Sequence, residues 1–518
     1  MNCPVGTFCA AFVLCAFAVQ GETYLPGEGS FDVSVWQTTG KRSFREIPTT
    51  PFTPHAYTNR TPIAVDRAEV RGKYSWLGVS LTDASAWVLS QLPPEKRRAL
   101  IEAVFTPKGA NLRGVRLNIG SSDYSTAIYC YDDTPGDVEM KHFSLARDDN
   151  WLVPMAKEIL SANPDTFFFA APWSPPGWMK TTGNFIDGHF KDGMEQAMAN
   201  YLAAYVREMG KRGIDVGAVT VQNEAALSTR GTYPCCVFEE SQESAVVKLL
   251  AKKLKADGSK SKVWLWDWNA RWDWNAQKPL DNDRLVRQLS DPEVRASVDA
   301  VAWHSYTPVE AAEEIWKIKK DFPGIRFYHT EQGPAGHVTH RTQKWWVRQM
   351  ASMFENGCEA FSGWNLCLTD DGQPLTGPHL CMGLVTVDLE TGDFTPSAQF
   401  DVFRHIGPFV KPGAEVLRFP VRRFDNTKAK SSFSLGKSEE DAADEGADLD
   451  DCTALLFRNP GDEYVLVVAS DGRGMQGRPK NESNEPRAKI YVSCGGEMKH
   501  LPLPYGTWSL TTMVFKKR

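Results

Sequence analysis

Val216-Gly217-Ala218-Val219-Thr220-Val221 is an apolar run of strand length, and it stops at Gln222-Asn223-Glu224. A short apolar run bounded by polar residues reads as a strand buried on both faces, the kind a parallel sheet uses. Far along the chain Tyr328-His329-Thr330-Glu331 ends the same way, on a glutamate with glycine-rich loop after it. A parallel barrel keeps its reactive groups at the C-terminal ends of its strands. Two carboxylates facing each other there are the minimum equipment for breaking a glycosidic bond.

Working outward from these two runs, the same β-like pattern occurs eight times, at Ser75–Ser80, Gly114–Ile119, Thr166–Ala171, Val216–Val221, Lys262–Trp266, Val298–Trp303, Arg326–Thr330 and Glu359–Trp364. Amphipathic helical runs separate them. In Met194–Met209 the residues Met194, Ala197, Met198, Tyr201, Leu202, Tyr205, Val206 and Met209 share one face. Glu239–Ala256 ends with Lys252, Lys253 and Lys255 ahead of Gly258, which suits a helix dipole and a left-handed cap. Trp345–Phe354 and Ser397–Phe409 continue the series. Alternating strands and helices imply an α/β fold with a parallel sheet, and eight pairs predict a closed (β/α)8 TIM barrel over 72–411. A doubly wound open sheet is the rival, but no Gly-x-Gly-x-x-Gly or Walker loop follows any strand.

The flanks differ. Residues 22–71 read as a few strands and turns, including Val33-Ser34-Val35-Trp36, and 412–518 read as short strands at Val416–Phe419, Thr453–Phe457, Tyr464–Val468, Lys489–Val492 and Trp508–Phe515. Together they predict a discontinuous antiparallel β-sandwich side domain. An acidic insertion at 428–451 interrupts it, and composition makes this a solvated loop.

Bulk properties exclude several classes. At 518 residues, 42% hydrophobic and 24% charged, the chain is neither disordered nor a multi-span membrane protein. Net charge is −6, but Ser438–Asp451 alone carries eight acidic side chains, leaving about +2 for the rest. With no basic cluster interleaved with aromatics, no nucleic-acid partner is expected. Residues 1–21 read as a cleaved signal peptide, with the apolar run Phe8–Val19 and, toward and beyond its end, Ala16, Ala18 and Gly21 as small residues for cleavage. That predicts a secreted or lysosomal protein. The sequons at Asn59 and Asn481 fit this route. The eight cysteines beyond residue 21 allow 105 disulfide connectivities; Cys367 with Cys381 and Cys452 with Cys494 are candidate pairs because each is close in this reading, and all could equally be buried thiols. No Cys-x-x-Cys pair suggests zinc, and no metal or organic cofactor is expected.

Every notable polar feature falls at the end of one of the eight strands. Glu224 and Glu331 fit double displacement, one attacking the anomeric carbon and the other serving first as acid and then as base. The acid must hold its proton near working pH, through burial or the charge of its partner. Arg116, inside the second strand, needs a carboxylate if buried, and at a barrel centre a catalytic glutamate is the expected one. Asp123 follows in Ser121-Ser122-Asp123-Tyr124. Asn223 is placed to bond the sugar 2-hydroxyl. Ala171-Pro172-Trp173-Ser174-Pro175-Pro176-Gly177-Trp178-Met179-Lys180 is a proline-locked loop whose tryptophans suit a pyranose face. His304 and Tyr306 could bond a sugar or orient a glutamate, and Trp364-Asn365 ends strand eight.

These motifs in this order resemble glycoside hydrolase family 30 of clan A, a family that includes lysosomal glucosylceramidase. The resemblance rests on Asn223-Glu224, Glu331, Leu81-Thr82-Asp83-Ala84, Arg116 with Asp123, the loop from Trp173 to Gly183, His304-Ser305-Tyr306, Trp364-Asn365 and Phe403–Gly413. It implies Glu224 as acid/base, Glu331 as nucleophile, and Arg116, Asp123, Trp173, Asn223, His304, Tyr306, Trp364 and Asn365 as substrate-binding residues. It implies a retaining β-glucosidase acting on glucosylceramide, which would need contact with a membrane surface. An endo-β-1,6-glucanase or another β-glycosidase of the family is the alternative, and the loop Thr376-Gly377-Pro378-His379-Leu380-Cys381 is similar to that of microbial members. Either way the partner is a β-glucoside, glycosphingolipid or β-glucan. A sugar-binding protein without turnover is the rival from another class. The sequence departs from the family at Ala225, where proline is usual.

Overall fold

A computed structural model of the protein describes residues 31–40, 42–47, 63–229, 231–270, 272–273, 278–279, 282–306, 311–333, 341–418, 452–470, 488–494, 497–503 and 508–517. The signal-peptide reading, both sequons and the acidic insertion lie outside them.

Eight parallel strands form the centre: β1 (Trp76–Leu81), β2 (Gly114–Ile119), β3 (Phe167–Pro172), β4 (Val216–Thr220), β5 (Lys262–Trp268), β6 (Ala300–His304), β7 (Arg326–Glu331) and β8 (Ala360–Asn365). β1 to β7 are paired in sequence order, and β8 pairs back onto β1. Between β7 and β8 the ring closes through Glu359 N–H to Phe327 O at 2.7 Å and Trp364 N–H to Gln332 O at 2.9 Å. The architecture is therefore the TIM barrel that the eight runs imply, each strand within two residues of its expected bounds.

Helices cover the outside because each strand hands over to an amphipathic segment. Glu195–Lys211 buries Ala197, Met198, Tyr201, Leu202, Tyr205 and Met209, the face expected from its spacing. Glu240–Ala256 opens with a capping box between Glu239 and Gln242. The last helix, Ala398–Arg404, stops short of the expected Phe409. The chain turns there because Gly407 lies against the Ala110 carbonyl, where a Cβ would come within 2.0 Å.

The lower half of the barrel is plugged by aromatics. Trp264 stacks on Tyr328 at 4.6 Å, Tyr328 on Trp76 at 5.8 Å, and Phe169 leans on Trp264 at 5.2 Å. Such bulk fits only beside small residues, here Ala218, Ala300, Ala302 and Ala360. Gly114 is part of the same fit, since a Cβ there would lie 2.3 Å from the Trp76 ring. A plugged base leaves chemistry to the other end.

The side domain is built from both ends of the chain. A seven-stranded antiparallel sheet runs in the order Arg42–Ile47, Phe31–Thr39, Ser509–Lys517, Glu463–Ser470, Cys452–Asn459, Glu415–Arg418, Glu69–Lys73. A three-stranded sheet adds Glu497–Leu503, Ala488–Cys494 and Ile63–Ala64. One face of the larger sheet joins the barrel core, where Phe457 packs on Tyr74 and Phe354. His405 joins the two units by polar contacts, with Thr38 and Thr512 hydroxyls both 2.9 Å from its ring nitrogens.

Candidate active site

Three strands lose their register at the mouth of the barrel, and each skipped residue belongs to the site. Between β5 and β6 the pairing jumps from Trp266 to Trp268, leaving Asp267 unpaired. Between β6 and β7 it jumps from His329 to Glu331, leaving Thr330. Between β8 and β1 it jumps over Trp364. A bulge re-aims the side chains that follow it, so Thr330 and Glu331, neighbours in sequence, both turn inward. Backbone geometry agrees: Trp266 and Asp267 have φ of +82° and +50°, and Glu224 has +53°. Non-glycine residues rarely hold such angles unless their surroundings impose them. For Glu224 those surroundings are its N–H bonded to Asp267 O at 3.1 Å and its carbonyl accepting Leu227 N–H at 2.8 Å. Ala225, in the place of the usual proline, is fixed instead through Phe238 N–H on its carbonyl at 2.7 Å.

Arg116 is the centre of the arrangement. It is fully buried, its Nη1 bonds Glu331 Oε2, and its Nη2 bonds both Asn223 Oδ1 and Asp267 Oδ2 at 2.8 Å. Burial opposes the guanidinium charge, but Asp267 and Glu331 outweigh it and raise its pKa. The indoles of Trp173 and Trp364 flank this cation at 4.8 and 5.7 Å and stack on one another at 5.0 Å. The sequence expectation of a buried arginine paired with a glutamate is met.

Asp267 carries more than the sequence suggested. Its carboxylate accepts from Arg116, from Thr220 Oγ1 at 2.8 Å, from Thr330 Oγ1 at 2.7 Å and from His304 Nε2 at 3.2 Å. Burial alone would raise its pKa, yet Arg116 and His304 hold it well below the usual carboxylate range. His304 is the second cation. Burial works against its charge, but Glu331, Asp267 and Glu224 lift its pKa to about 9. Both ring nitrogens are then protonated at neutral pH, Nε2 donating to Asp267 and Nδ1 to Glu224 Oε1, each at 3.2 Å.

The same Nδ1 lies 3.9 Å from Glu331 Oε1. Two sides of that triangle, 3.2 and 3.9 Å, limit the distance between the nearest oxygens of Glu224 and Glu331 to 7.1 Å at most. Glu331 is held on its other side by the Tyr306 hydroxyl, which donates to Oε1 at 2.9 Å and accepts Gly333 N–H at 2.9 Å. Burial, then Glu331, keeps that phenol protonated. Gly333 must be small, because a Cβ would meet Cys381 Sγ at 2.6 Å and Tyr306 Oη at 3.2 Å.

Asp123 stands on the rim. Burial and then Glu331 push its carboxyl up to about 8, and its Oδ1 is buried without a partner. Its backbone carbonyl is clamped by Thr376 and Gly377 N–H at 2.7 and 3.0 Å, which lays the loop after β8 over it. Asn365 points elsewhere: its Oδ1 accepts the Thr82 hydroxyl at 3.0 Å, at the cap of the first barrel helix. Tyr233, not anticipated from sequence, joins the site. Burial, then Glu224 and Asp123, hold its phenol protonated, and its ring meets His379 edge-on at 6.0 Å. The structure therefore brings Glu224, Glu331, Arg116, Asp123, Trp173, Asn223, His304, Tyr306 and Trp364 together at the mouth of the barrel. It adds Asp267 and Tyr233, and it sets Asn365 at the back. The disulfide reading of Cys367 with Cys381 is overturned: both are buried free thiols, Cys381 on the site wall against Gly333. The side chains of Cys452 and Cys494 lie outside the described residues.

Residues 75–410 match the model of the Glycosyl hydrolase family 30 TIM-barrel domain. An endo-1,6-beta-D-glucanase of Neurospora crassa is 26% identical over 417 residues, 77% of this chain and 82% of that protein. The lysosomal acid glucosylceramidase of Mus musculus is 26% identical over 370 residues, 66% of this chain and 69% of that one. Among solved structures, SrfJ from Salmonella typhimurium superposes with a TM-score of 0.75 at 22% identity, covering 94% of this chain and all of that one. The endo-beta1,6-glucanase BT3312 does so at 0.73 and 24% identity, covering 93% and 98%. These two show the shared fold.

Proposed function

The chain belongs to glycosyl hydrolase family 30 and is a glycoside hydrolase, and within that family we propose that it is a retaining β-glucosidase using Glu331 as nucleophile and Glu224 as acid/base. The observation that carries this is His304 Nδ1 lying 3.2 Å from Glu224 Oε1 and 3.9 Å from Glu331 Oε1, which sets both carboxyls against one imidazole and caps the separation of their nearest oxygens at 7.1 Å, short of all but the lower edge of the inverting range. Retaining sites hold their carboxyls roughly 5 Å apart, while inverting sites open to about 6.5–9.5 Å to admit a water.

The roles follow from the partners. A nucleophile must be ionised and aimed, and Glu331 has Arg116 on one oxygen and the Tyr306 hydroxyl on the other. Its free lone pair attacks the anomeric carbon as Glu224 gives its proton to the departing glycosidic oxygen. In the second half Glu224 takes a proton from water, whose oxygen attacks the same carbon and releases Glu331. Asn223, its carbonyl oxygen taken by Arg116, offers its NH2 to the sugar 2-hydroxyl. Asp123, kept protonated by burial, offers its unpartnered carboxyl to a further hydroxyl. The stacked Trp173 and Trp364 form the wall for a pyranose face.

For the substrate we infer β-1,6-glucan. Support comes from relatives named endo-1,6-beta-glucanases in Neurospora crassa, Aspergillus fumigatus and Trichoderma harzianum and from the loop Thr376–Cys381 laid over Asp123. Glucosylceramide is the second reading, favoured by the similarity to the mouse enzyme. It would bring the protein to a membrane surface, although among the described residues no helix is long and apolar enough to cross one. Secretion or lysosomal delivery through residues 1–21 is part of the proposal, and sequencing the mature N-terminus checks it. Product analysis on β-1,6-glucan and on glucosylceramide separates the substrates. Glu224→Gln and Glu331→Gln should each lose roughly 10²–10⁴-fold in kcat, and the first-formed product should keep the β configuration. Wild-type turnover in either variant, or an α product, refutes the mechanism.

A further inference from the structure

Behind the aromatic wall sits a cation that no step above uses. Lys180 ends the loop after β3, is completely buried, and meets no carboxylate at ion-pair distance among the described residues. Its three N–H groups go to three neutral acceptors: Ser174 Oγ at 2.8 Å, Phe185 O at 2.8 Å and Cys235 O at 2.7 Å. Those acceptors lie on three separate stretches. Ser174 adjoins Trp173, and its own hydroxyl is committed to Pro175 O at 2.9 Å. Phe185 belongs to the excursion that returns through the Lys180–Phe190 bridge. Cys235 is two residues past Tyr233, in the loop after β4 that carries Glu224.

A bare ammonium is the side chain that offers three donors from one atom and no acceptor. Burying such a charge without a counter-ion is costly, so a purely structural knot would be built more cheaply from neutral groups. What Lys180 joins is the Trp173 wall, committed to Arg116, and the Tyr233 side, which faces both glutamates. We propose that Lys180 is a positioning residue of this site: its ammonium ties the Trp173 loop to the Tyr233 loop and so fixes the width of the sugar cleft. This rests on the glycosidase reading above. Burial lowers the amine's pKa to about 8, with Cys236, Cys235 and Asp187 the titratable groups that face it. The thiols are themselves pushed upward, Cys236 to about 12. The tie therefore loosens in mildly alkaline solution, and KM should rise there.

The test compares wild type, Lys180→Met and Ser174→Ala on a β-1,6-linked gluco-oligosaccharide between pH 6 and 9.5. Wild-type KM should climb above about pH 8. Lys180→Met keeps the stem and removes the donors, so its KM should be raised at least fivefold at pH 6, kcat falling less, and should climb above pH 8 less steeply than wild type, by the part that Asp123 and His304 still contribute. Ser174→Ala removes one acceptor of the charged form, which makes the proton easier to lose, so its climb should begin at lower pH. A folded Lys180→Met with wild-type KM and wild-type pH dependence overturns the proposal. Should that variant fail to fold, an unmoved climb in Ser174→Ala overturns it instead. Absence of turnover by wild type refutes the substrate reading and leaves Lys180 open to limited proteolysis. Cleavage within 181–237 should then speed up in wild type above pH 8 and in Ser174→Ala at lower pH, and equal rates at all pH values refute the tie.

Discussion

Replacing Asp267 by asparagine changes no volume and removes one charge, so its consequences can be worked through bond by bond. The carboxylate accepts four hydrogen bonds, two per oxygen: Arg116 and Thr220 on Oδ2, Thr330 and His304 on Oδ1. Asparagine keeps one acceptor oxygen and puts an NH2 on the other side. Arg116 cannot give up its protons, so the oxygen stays with Arg116 and the NH2 faces Thr330 and His304. The Thr330 hydroxyl has a second acceptor in Trp303 O at 3.2 Å and can turn to it. His304 must then present Nε2 as an acceptor, which leaves a neutral ring with its one proton on Nδ1.

Two magnitudes follow. Arg116 loses a buried partner but keeps Glu331 and Asn223, so the stability loss sits at the low end of the 3–5 kcal/mol typical of a broken buried pair, about 3 kcal/mol. Scaled to a chain of this size, that is roughly 5 °C in Tm. The second concerns Glu224. In the wild type a positive imidazolium 3.2 Å away favours ionised Glu224 and so hastens loss of its proton. At that distance the attraction is about 1.3 kcal/mol in water and about 5 kcal/mol at an effective dielectric of 20. At 1.36 kcal/mol per pH unit this spans roughly one to under four units. The Glu224 side chain is only 12% exposed at the barrel mouth, so the shift lies above the bulk-water limit. The alkaline limb of kcat/KM should therefore move up by more than about 1 pH unit in Asp267→Asn. A limb that stays in place, or moves down, refutes the reading of His304 as a cation held between Asp267 and Glu224.

Other outcomes test other parts. Trp173→Ala removes the stack on Trp364 and the face over Arg116; aromatic pairs and buried cation–π contacts are worth about 1–2 kcal/mol each, so KM should rise about tenfold, and an unchanged KM removes Trp173 from the sugar wall. Asp148, whose carboxylate accepts the Tyr131 hydroxyl at 2.6 Å, is pushed by burial up to about 7. A carboxyl whose pKa is higher folded than unfolded binds more protons when folded, so stability drains away as pH rises from about 4 to 7. Asp148→Asn should narrow the wild-type gap in Tm between pH 5 and pH 8, and an unaltered gap refutes the shift. Alkylation in denaturant without reductant should label both Cys367 and Cys381, and protection of that pair would restore the disulfide reading.

The barrel was legible because buried parallel strands are apolar on both faces, so each of the eight ends where polarity begins. That Glu224, Glu331 and Arg116 meet was legible for the same reason: charges at or within such runs have few other places to be. Asp267 was not, because it stands in Trp266-Asp267-Trp268-Asn269, beside the echo Trp272-Asp273-Trp274-Asn275, and strict alternation from the interior Trp264 turns it outward. The bulge at Asp267 reverses that alternation, and a one-residue reversal moves every side chain beyond it to the other face. Tyr233 lay in a loop with no periodicity to read.

The charge count around Glu224 and Glu331 shows what Asp267 does for the proposed pair. Among the described residues Arg116 and His304 supply two positive charges, and Asp123, raised to about 8, adds none at neutral pH. Set against Glu224 and Glu331 alone, two cations would balance two carboxylates, and nothing would keep a proton for the leaving group. Asp267 takes one of those charges permanently, since Arg116 and His304 hold it ionised. The remaining single positive charge balances one glutamate, and Arg116 directs it to Glu331 through a direct bond that Glu224 lacks. The proposed mechanism asks one of the two glutamates to be the acid, and the one without the guanidinium bond is Glu224.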